Sequence, residues 1–346
     1  MCDVTERPAA ADAADTVGRW LAERFGGQVD LLGAPTTAGD GYDTAVHFVR
    51  FGGAVLPPEW RRDLVIRIHP TADRSGLARH EAAAQNWCAE RRYPAPRVLA
   101  VFGAGELSDL PLQVVERAPG DTMLAAALGR PWRAPAMLRR LADLHADFHD
   151  LPVDDFPAPV DDPSLTLAAR RLRPVPSWID RLPAADADAL GDALERLRPV
   201  LPRLDVADPS VCHGDMHPLN VLVARDGTTT VIDWTDVALG DPHGDVARTA
   251  LLFEVARVAT SAPLERAALG ATGGWMRTTY LERYRARRPL DDERLRRWQA
   301  VHALHGWGQV LALHAGLFGD GNAAAANVPP ELAPWLRDRF ELSLAG

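Results

Sequence analysis

Three side chains with oxygen donors are spaced along residues 211–245, VCHGDMHPLNVLVARDGTTTVIDWTDVALGDPHGD. Asn220 follows Asp215 by five residues, and Asp233 ends a segment with the pattern of a second strand. The Asp-Gly pair at 226–227 between them is a strong signal for a two-residue hairpin turn. Counting outward from that turn places Asn220 opposite Asp233, and directly paired residues share a face with Cβ atoms about 5 Å apart. The pattern therefore predicts that a carboxylate and an amide oxygen meet at the open end of a hairpin.

This donor pair indicates a hard cation. One carboxylate with one amide oxygen suits Mg²⁺, which keeps several waters and shares its other positions with phosphates. Asp215 is then left over as a candidate base. A second interpretation takes His213, Asp215 and His217 as an H-x-D-x-H metal cluster of a hydrolase, and a third takes the loop as a polar turn.

The loop also has the spacing of a catalytic loop for phosphoryl transfer, in which an Asp accepts the hydroxyl proton and an Asn, separated from it by four residues, holds Mg²⁺. HGDMHPLN, with IDW and GDPHGD further on, resembles the aminoglycoside phosphotransferase and choline kinase family, which shares its fold with protein kinases. The match is specific over residues 211–245 and weaker over about residues 31–252. The resemblance implies Asp215 as the catalytic base and Asn220 and Asp233 as the Mg²⁺ ligands.

Arg67 and Glu81 form a second candidate group. Arg67 lies inside the apolar run LVIRI, and Glu81 lies on a predicted helix. The rest of that helix face is apolar, with Leu77, Ala84 and Cys88. Because a carboxylate on an apolar face is costly unless paired, we expect an Arg67–Glu81 ion pair. The resemblance implies that this pair holds the α- and β-phosphates, although the family has Lys where this chain has Arg, and the two are not equivalent. A purely structural ion pair is the alternative.

Two further segments are candidates for nucleotide binding. Gly39 and Gly41 lie in the loop TTAGDGYDT, where backbone N–H groups could approach a phosphate, although two glycines in a hairpin loop also fit a plain turn. The resemblance places the nucleotide flap at this loop. It also implies that backbone groups of Glu116 and Ala118, in the segment QVVERAPG that joins the lobes, hydrogen-bond an adenine; a mere linker is the alternative.

The remaining polar positions are expected to be structural. Asp245 is expected to cap the helix that follows it, and Asp241 to orient the catalytic loop. A group of aromatic and His residues at helical spacing is predicted to lie in the hydrophobic core more than in the acceptor pocket: Trp298, His302, His305, Trp307 and His314. Asp161 and Asp162 are interpreted as part of a solvated loop.

The order of secondary-structure signals and the resemblance together predict an α+β, two-lobed protein-kinase-like fold. Its N-lobe is a small antiparallel β-sheet with one helix, and its C-lobe is larger and mostly helical. We expect residues 1–14 to be a disordered lead-in and 15–117 to be the nucleotide-binding lobe. Residues 118–346 would then carry the catalytic loop and the acceptor pocket.

The composition limits the class of protein. The chain has 346 residues and a net charge of −9, and all 38 basic residues are Arg. A net acidic chain is a poor partner for nucleic acid. We find neither a signal peptide nor a run of 18 apolar residues, so we expect a cytoplasmic protein without membrane contact.

The resemblance thus implies a Mg²⁺-dependent enzyme that moves the γ-phosphoryl of ATP (or GTP) to a hydroxyl group. The acceptor would be a sugar-containing antibiotic or a related small metabolite. Two other classes stay open: a nucleotide-binding pseudokinase with a regulatory role, and a metal-dependent hydrolase that uses the His-x-Asp-x-His cluster.

Overall fold

The computed structural model describes residues 9–38, 44–157, 166–204, 206, 208–255, 258, 263–318 and 328–345. The chain divides into two compact units. Unit 1 comprises Met1–Asp121, Asp155–Val160 and Leu222–Thr235, and unit 2 comprises Thr122–Asp154, Asp161–Val221 and Asp236–Gly346. Strands dominate the first and helices the second, as predicted.

An antiparallel sheet forms the centre of unit 1. Its strands in the described residues are β1 (Asp30–Leu31), β2 (Thr36–Thr37), β3 (Ala45–Gly52), β4 (Asp63–Ile68), β5 (Val98–Phe102) and β6 (Leu112–Glu116). They are ordered β1-β3-β4-β6-β5, and β2 pairs with β3 outside this path. The small antiparallel sheet that the sequence predicted for this part of the chain is therefore present.

The two faces of this sheet pack against different helices, because successive side chains along a strand point to opposite faces. One face forms an apolar cluster with helix α1 (Ala10–Phe25), to which β4 contributes Leu64, Ile66 and Ile68. Arg67, one position out of step with these residues, points to the opposite face. There it meets Glu81 of helix α2 (Ser75–Glu90).

Helix α1 begins earlier than the sequence predicted. Residues 10–14, which were expected to be disordered, are helical. The stretch AADAAD is rich in Ala, the residue with the highest helix propensity. Ala13 and Ala14 are also buried in the unit 1 core, so tertiary packing supports the extra turn.

The predicted hairpin is present, with strands β9 (Val221–Val223) and β10 (Thr229–Val231). Its loop has three residues, because the amide of Ala224 donates to the carbonyl of Thr228 at 2.9 Å. The amide of Gly227 donates to the carbonyl of Ala224 at 3.0 Å, and Gly227 has φ 90°. These are the features of a type I turn followed by a left-handed glycine.

The longer loop shifts the register by one residue. Val223 faces Thr229 and not Thr230, so the predicted alignment that set Asn220 opposite Asp233 is wrong. An Asp-Gly pair serves either kind of hairpin, and here the side chain of Asp226 accepts a hydrogen bond from the Thr228 amide, which favours the longer loop.

The hairpin groups with unit 1, whereas the sequence assigned it to the helical lobe. The amide of Val231 donates to the carbonyl of Pro94 at 2.7 Å. The ring of Trp234 meets Tyr93 edge-on, with centroids 6.0 Å apart. Trp234 is fully buried, so this contact anchors the segment that carries Asp233.

Unit 2 consists mainly of helices. The described ones are α3 (Met123–Gly129), α4 (Ala134–His149), α5 (Leu167–Leu172), α6 (Val175–Ile179), α7 (Ala184–Leu197), α8 (Pro242–Val255), α9 (Pro263–Arg285), α10 (Asp292–His314) and α11 (Leu332–Ala345). Strands β8 (Ser210–Cys212) and β11 (Ala238–Gly240) pair antiparallel within this unit, and β7 (Asp121–Thr122) pairs with β9. Helix α10 packs against α5, α6, α7, α8 and α11 and is therefore the centre of the helical core.

None of the helices in the described ranges combines the length and the apolar character needed to cross a membrane.

Candidate active site

The loop that carries Asp215 runs from β8 to β9 and depends on Gly214. Gly214 has φ 81°, a left-handed conformation that favours glycine. A Cβ at this position would lie 2.5 Å from the Cβ of Asp236 and 2.7 Å from its carbonyl oxygen. Both the backbone conformation and this close approach therefore require the glycine of the HGD motif.

Partners hold both oxygens of the Asp215 carboxylate. Oδ1 accepts from Nε of Arg248 at 3.2 Å and lies 3.2 Å from Nη2 of the same guanidinium. Oδ2 lies 3.3 Å from Nε2 of His217 and 3.5 Å from Nδ2 of Asn220. Burial alone would raise the pKa of Asp215, but Arg248 and His217 hold it well below its usual range. Asp215 is therefore an oriented, ionised carboxylate.

The amide of Asn220 has one end fixed by the catalytic loop. Its Nδ2 donates to the carbonyl of Asp215 at 3.0 Å and lies 3.3 Å from Nε2 of His217. Because the nitrogen faces the loop, the amide oxygen points away from it, and no hydrogen bond within the described chain engages that oxygen. An oriented amide oxygen is a suitable donor for Mg²⁺.

The backbone of the catalytic loop is held by Asp245, which is fully buried. Its carboxylate accepts from the amide of His213 at 2.5 Å and from the amide of Gly214 at 2.8 Å. His149 Nε2 and His145 Nε2 lie 3.2 and 3.0 Å from Oδ2. Although burial raises it, these imidazoles and their hydrogen bonds keep the pKa of Asp245 well below its usual range.

Two tyrosines of α9 orient these imidazoles. Tyr280 shares a hydrogen bond of 2.6 Å with Nδ1 of His145, and Tyr284 shares one of 2.6 Å with Nδ1 of His149. Nε2 of His149 faces the ionised Asp245 carboxylate, so in this ring Nε2 carries the proton and Nδ1 accepts from the hydroxyl of Tyr284. The ligand atoms of His145, His149 and Asp245 also lie close enough together to surround a metal ion.

The roles of Asp241 and Asp245 are the reverse of those predicted. Asp241 accepts from the amide of His243 at 3.0 Å, in the first turn of α8, and from the indole of Trp298 at 2.6 Å. Asp245 lies within the helix and binds the catalytic loop. The sequence contains both carboxylates four residues apart, and only the tertiary structure shows which one faces the loop.

Arg67 is the centre of the second candidate group, which lies in unit 1. It forms an ion pair with Glu81, whose side chain is fully buried. Nη1 of Arg67 also lies 3.4 Å from Oε1 of Gln113. Gln113 in turn donates to the carbonyl of Ala78 at 2.8 Å and lies 3.4 Å from Oε2 of Glu81. The pairing expected from the sequence is thus present, and Gln113 is a partner that the sequence did not reveal.

Asp233 belongs to the same charged group. Its Oδ1 lies 3.5 Å from Nη2 of Arg67 and accepts from the hydroxyl of Thr235 at 2.9 Å. Asp233 has φ 64°, an uncommon conformation for a residue with a side chain. Its carboxylate is 46% exposed, so it can still take another ligand. A partly exposed carboxylate fits the predicted role of a Mg²⁺ ligand.

The other predicted nucleotide contacts are less defined. The amide of Glu116 donates to the carbonyl of Arg97 at 2.9 Å, so only its carbonyl is left for an adenine. The backbone of Ala118 makes no hydrogen bond to the backbone of any other described residue. Gly39 and Gly41 lie outside the described residues.

The metallo-hydrolase interpretation finds no structural counterpart. In the described ranges, the ligand atoms of His213, Asp215 and His217 do not gather into a metal-binding group. His213 is fully buried, and its Nδ1 accepts from the Asp215 amide at 3.3 Å. Its imidazole therefore orders the loop.

The aromatic and His residues near the end of the chain are mostly core, as expected. Trp298, His302, His305 and Trp307 are buried in α10, and His314 is exposed at its end. Asp161 and Asp162 lie outside the described residues. Sequence reasoning also missed Arg248. Its signal was a charged position on a helix stretch that is otherwise apolar through Val246, Ala247, Ala250 and Leu251.

We expect the free energy of unfolding to fall between pH 6.5 and pH 4. Burial, and then the neighbouring His145, lower the pKa of His149 to about 4, from an ordinary value of 6.5. In this pH range the His149 imidazole is therefore protonated in the unfolded chain but not in the folded chain. The free energy of unfolding consequently declines as pH falls. This imidazole accounts for at most about 3 kcal/mol of the decline.

Urea unfolding at a series of pH values measures this effect. His149→Gln should show a shallower decline than the parent protein, whereas His314→Gln, at an exposed position, should follow the parent curve. Equal slopes in all three proteins would show that His149 is not held neutral.

Known proteins share both the sequence pattern and the fold. The profile of a family described as the phosphotransferase enzyme family matches residues 39–281. The aminoglycoside 3'-phosphotransferase of Streptomyces fradiae is 32% identical over 213 residues, which are 57% of this chain and 74% of that protein.

Two solved structures illustrate the fold. A thermostable mutant of the aminoglycoside phosphotransferase APH(4)-Ia, in a ternary complex with ADP and hygromycin B, is 18% identical with a TM-score of 0.62. The alignment covers 95% of this chain and 98% of that one. Choline kinase LicA from Streptococcus pneumoniae is 13% identical with a TM-score of 0.59, over 96% and 98% of the two chains. These matches confirm the predicted kinase-like α+β fold.

Proposed function

Because the chain belongs to the phosphotransferase enzyme family and is an alcohol phosphotransferase, we propose that it moves the γ-phosphoryl of ATP (or GTP) to a small molecule. The acceptor is a hydroxyl of a sugar-containing antibiotic or of a related small metabolite, and the reaction requires Mg²⁺. The relative from Streptomyces fradiae is named for transfer to aminoglycosides, and the solved APH(4)-Ia complex contains ADP and hygromycin B, which supports this choice.

One observation carries the proposal: Asp215 is ionised and oriented, and Asn220 is fixed against its backbone. In the proposed reaction Asp215 orients the acceptor hydroxyl and takes its proton. The hydroxyl oxygen forms a bond to the γ-phosphorus as the bond to the β–γ bridging oxygen breaks, and ADP leaves. Most of the catalysis then comes from positioning and charge neutralisation.

The Mg²⁺ ligands in this proposal are the amide oxygen of Asn220 and the carboxylate of Asp233. When bound, the ion neutralises charge on the β- and γ-phosphates. The chain's own part is to hold these donors: the loop fixes the Asn220 amide, and Thr235 hydrogen-bonds one oxygen of Asp233.

The nucleotide contacts are proposed for unit 1. Arg67, held by Glu81, contacts the phosphates, and its planar fork can serve a carboxylate and a phosphate together. Backbone groups of Glu116 and Ala118 hydrogen-bond the adenine. The loop with Gly39 and Gly41 is proposed to cover the phosphates.

A phosphorylation screen tests the proposed function. Purified protein is incubated with Mg²⁺ and ATP or GTP and a panel of aminoglycosides, macrolides, amino alcohols and sugars. We expect a mass increase of one phosphoryl group on at least one acceptor, with one nucleoside diphosphate released for each product formed. Tight nucleotide binding without transfer to any acceptor would instead favour the regulatory pseudokinase.

Asp233→Ala is expected to raise the Mg²⁺ concentration for half-maximal rate at least about tenfold, because a carboxylate ligand is lost. Mg²⁺ titrations at saturating nucleotide measure this change. Asp226→Ala, at the exposed hairpin turn, is the matched control and should titrate like the parent protein. An unchanged titration for Asp233→Ala would remove Asp233 from the metal shell.

A further inference from the structure

Three fully buried side chains of unit 2 direct nitrogen and oxygen atoms at one another next to the catalytic loop. His145 and His149 lie one turn apart on α4, and Asp245 lies on α8. Their ligand atoms are all within 4.8 Å of one another. Two His residues at positions i and i+4 share one helix face, which is the spacing of the His pair in helical zinc sites. The cluster therefore has the residue types and the spacing of a metal site.

One contact in this cluster does not have the geometry of a hydrogen bond. Nε2 of His145 lies 3.0 Å from Oδ2 of Asp245, yet this buried nitrogen has no hydrogen-bond partner in the described part of the chain. A hydrogen bond needs a nearly straight N–H···O angle. A metal ion about 2.1 Å from both atoms would instead lie about 45° off the line that joins them. The contact is short but misdirected for a proton, and this is the geometry that a shared metal ion requires.

The second imidazole can bind the same ion. Nε2 of His149 lies 3.2 Å from the same carboxylate oxygen. Two ligand atoms on one tetrahedral Zn²⁺ are about 3.3 Å apart, so the N···O distances of both imidazoles fit. Imidazole nitrogen suits Zn²⁺, whereas Mg²⁺ prefers oxygen ligands alone. The cluster therefore selects a different ion from the Mg²⁺ proposed for Asn220 and Asp233.

Two tyrosine hydroxyls provide the partners that ligating imidazoles need on their second nitrogen. Tyr280 lies 2.6 Å from Nδ1 of His145, and Tyr284 lies 2.6 Å from Nδ1 of His149. Such a bond fixes the tautomer and the ring orientation of a ligating His. Because a tyrosine hydroxyl accepts as well as donates, each Nδ1 would carry the proton when a metal occupies Nε2. Both imidazoles are then neutral, as metal ligation requires.

The negative charge of Asp245 also indicates a cation. The carboxylate accepts from the amides of His213 and Gly214, at 2.5 and 2.8 Å. Within the described ranges, its ion-pair contacts are with the two imidazoles, and no Arg reaches it. A buried carboxylate without a partner of opposite charge is costly. A divalent cation between the three side chains would supply that charge.

We propose that His145, His149 and Asp245 bind one Zn²⁺ ion that joins α4 and α8 to the catalytic loop. Asp245 ligates the ion and also holds the loop amides, so the ion would fix the backbone that precedes Asp215. Because all three ligands are fully buried, the ion does not meet either substrate and its role is structural. The proposal is independent of the Mg²⁺-dependent transfer proposed above.

The zinc content of the purified protein tests the site. The 346-residue chain is produced without a polyhistidine tag in medium that contains Zn²⁺, and is then dialysed against metal-free buffer. Elemental analysis should find about one Zn²⁺ per chain. In the parent protein, EDTA should lower the urea midpoint by about 1 M, because the ion binds the folded state and not the unfolded one. This second measurement does not depend on the folding of any variant.

His145→Gln and His149→Gln locate the ion. Each variant should contain at least about tenfold less zinc than the parent protein, because the two ligands that remain hold Zn²⁺ weakly. Neither urea midpoint should respond to EDTA. His314→Gln, at the exposed end of α10, is the matched control and should keep the zinc content and the EDTA response of the parent.

The outcomes are distinct from those for the proposed function. Zinc that both His variants lose and His314→Gln keeps supports the site, whether or not any acceptor is phosphorylated. A parent protein without zinc and with an urea midpoint that EDTA leaves unchanged overturns it, and a proton shared with the imidazoles would then balance the charge of Asp245. Zinc that both His variants retain also overturns the site. Zinc-loaded protein that transfers phosphate to no acceptor overturns the proposed function alone.

Discussion

Asp215→Asn is expected to lower kcat by a factor of about 10²–10⁴ while leaving nucleotide affinity nearly unchanged. The amide has the shape of the carboxylate, so the loop can keep its conformation, but it cannot accept the hydroxyl proton. It also removes the negative charge that faces Arg248. The loss of the proton acceptor and the loss of the negative charge both affect the acceptor hydroxyl. Neither changes the nucleotide contacts proposed for Arg67.

Release of ADP in the presence of an acceptor, together with calorimetric binding of nucleotide, separates these effects. Asp226→Asn is the control, because this turn residue is exposed and Asn can replace its hydrogen bond to the Thr228 amide. Turnover at the parent rate in Asp215→Asn would show that Asp215 is not the base. A large loss of nucleotide affinity would point to a wider disruption of the loop.

Arg67→Met is expected to lower the free energy of unfolding by about 3 kcal/mol and to abolish efficient transfer. The loss of stability arises because Glu81 is fully buried and would lose its cationic partner. Burial already raises the pKa of Glu81, and Arg67 opposes that rise. The variant should therefore take up a proton at Glu81 and become less stable as pH rises towards neutrality.

The double variant Arg67→Met with Glu81→Leu isolates the catalytic role. Replacing both partners by apolar side chains removes the unpaired charge, so stability should return close to that of the parent. Transfer should stay low, because the proposed phosphate contact is still missing. Urea unfolding and kcat/KM for ATP are the two measurements, and recovered activity in the double variant would assign Arg67 a purely structural role.

The features that could be predicted from the sequence depend on local patterns or on the cost of burying charge. The strands and helices followed from periodicity, and the catalytic loop from the spacing of Asp215 and Asn220. The partner of Arg67 could be inferred because an apolar helix face cannot hold Glu81 alone. In each case a local sequence pattern, or the free-energy cost of burying an unpaired charge, leaves one favourable arrangement.

The features that could not be predicted depend on tertiary geometry. An Asp-Gly turn is compatible with two hairpin registers, and the hydrogen bond at Thr228 selects the longer loop. Asp241 and Asp245 are equivalent in sequence until the fold turns one of them towards the loop. His149 and Tyr284 are in contact although they are 135 positions apart, so no local sequence pattern could reveal their contact.

Protein kinases hold the nucleotide phosphates with a Lys on a strand of the N-lobe, and the proposed use of Arg67 for that contact here has a consequence for chemical probes. Reagents that acylate an ε-amine, or condense with it to an imine, have no target there, and the 346 residues contain no ε-amine at all. Nucleotide analogues built on such electrophiles should therefore leave this enzyme unlabelled while they inactivate lysine-dependent kinases in the same mixture.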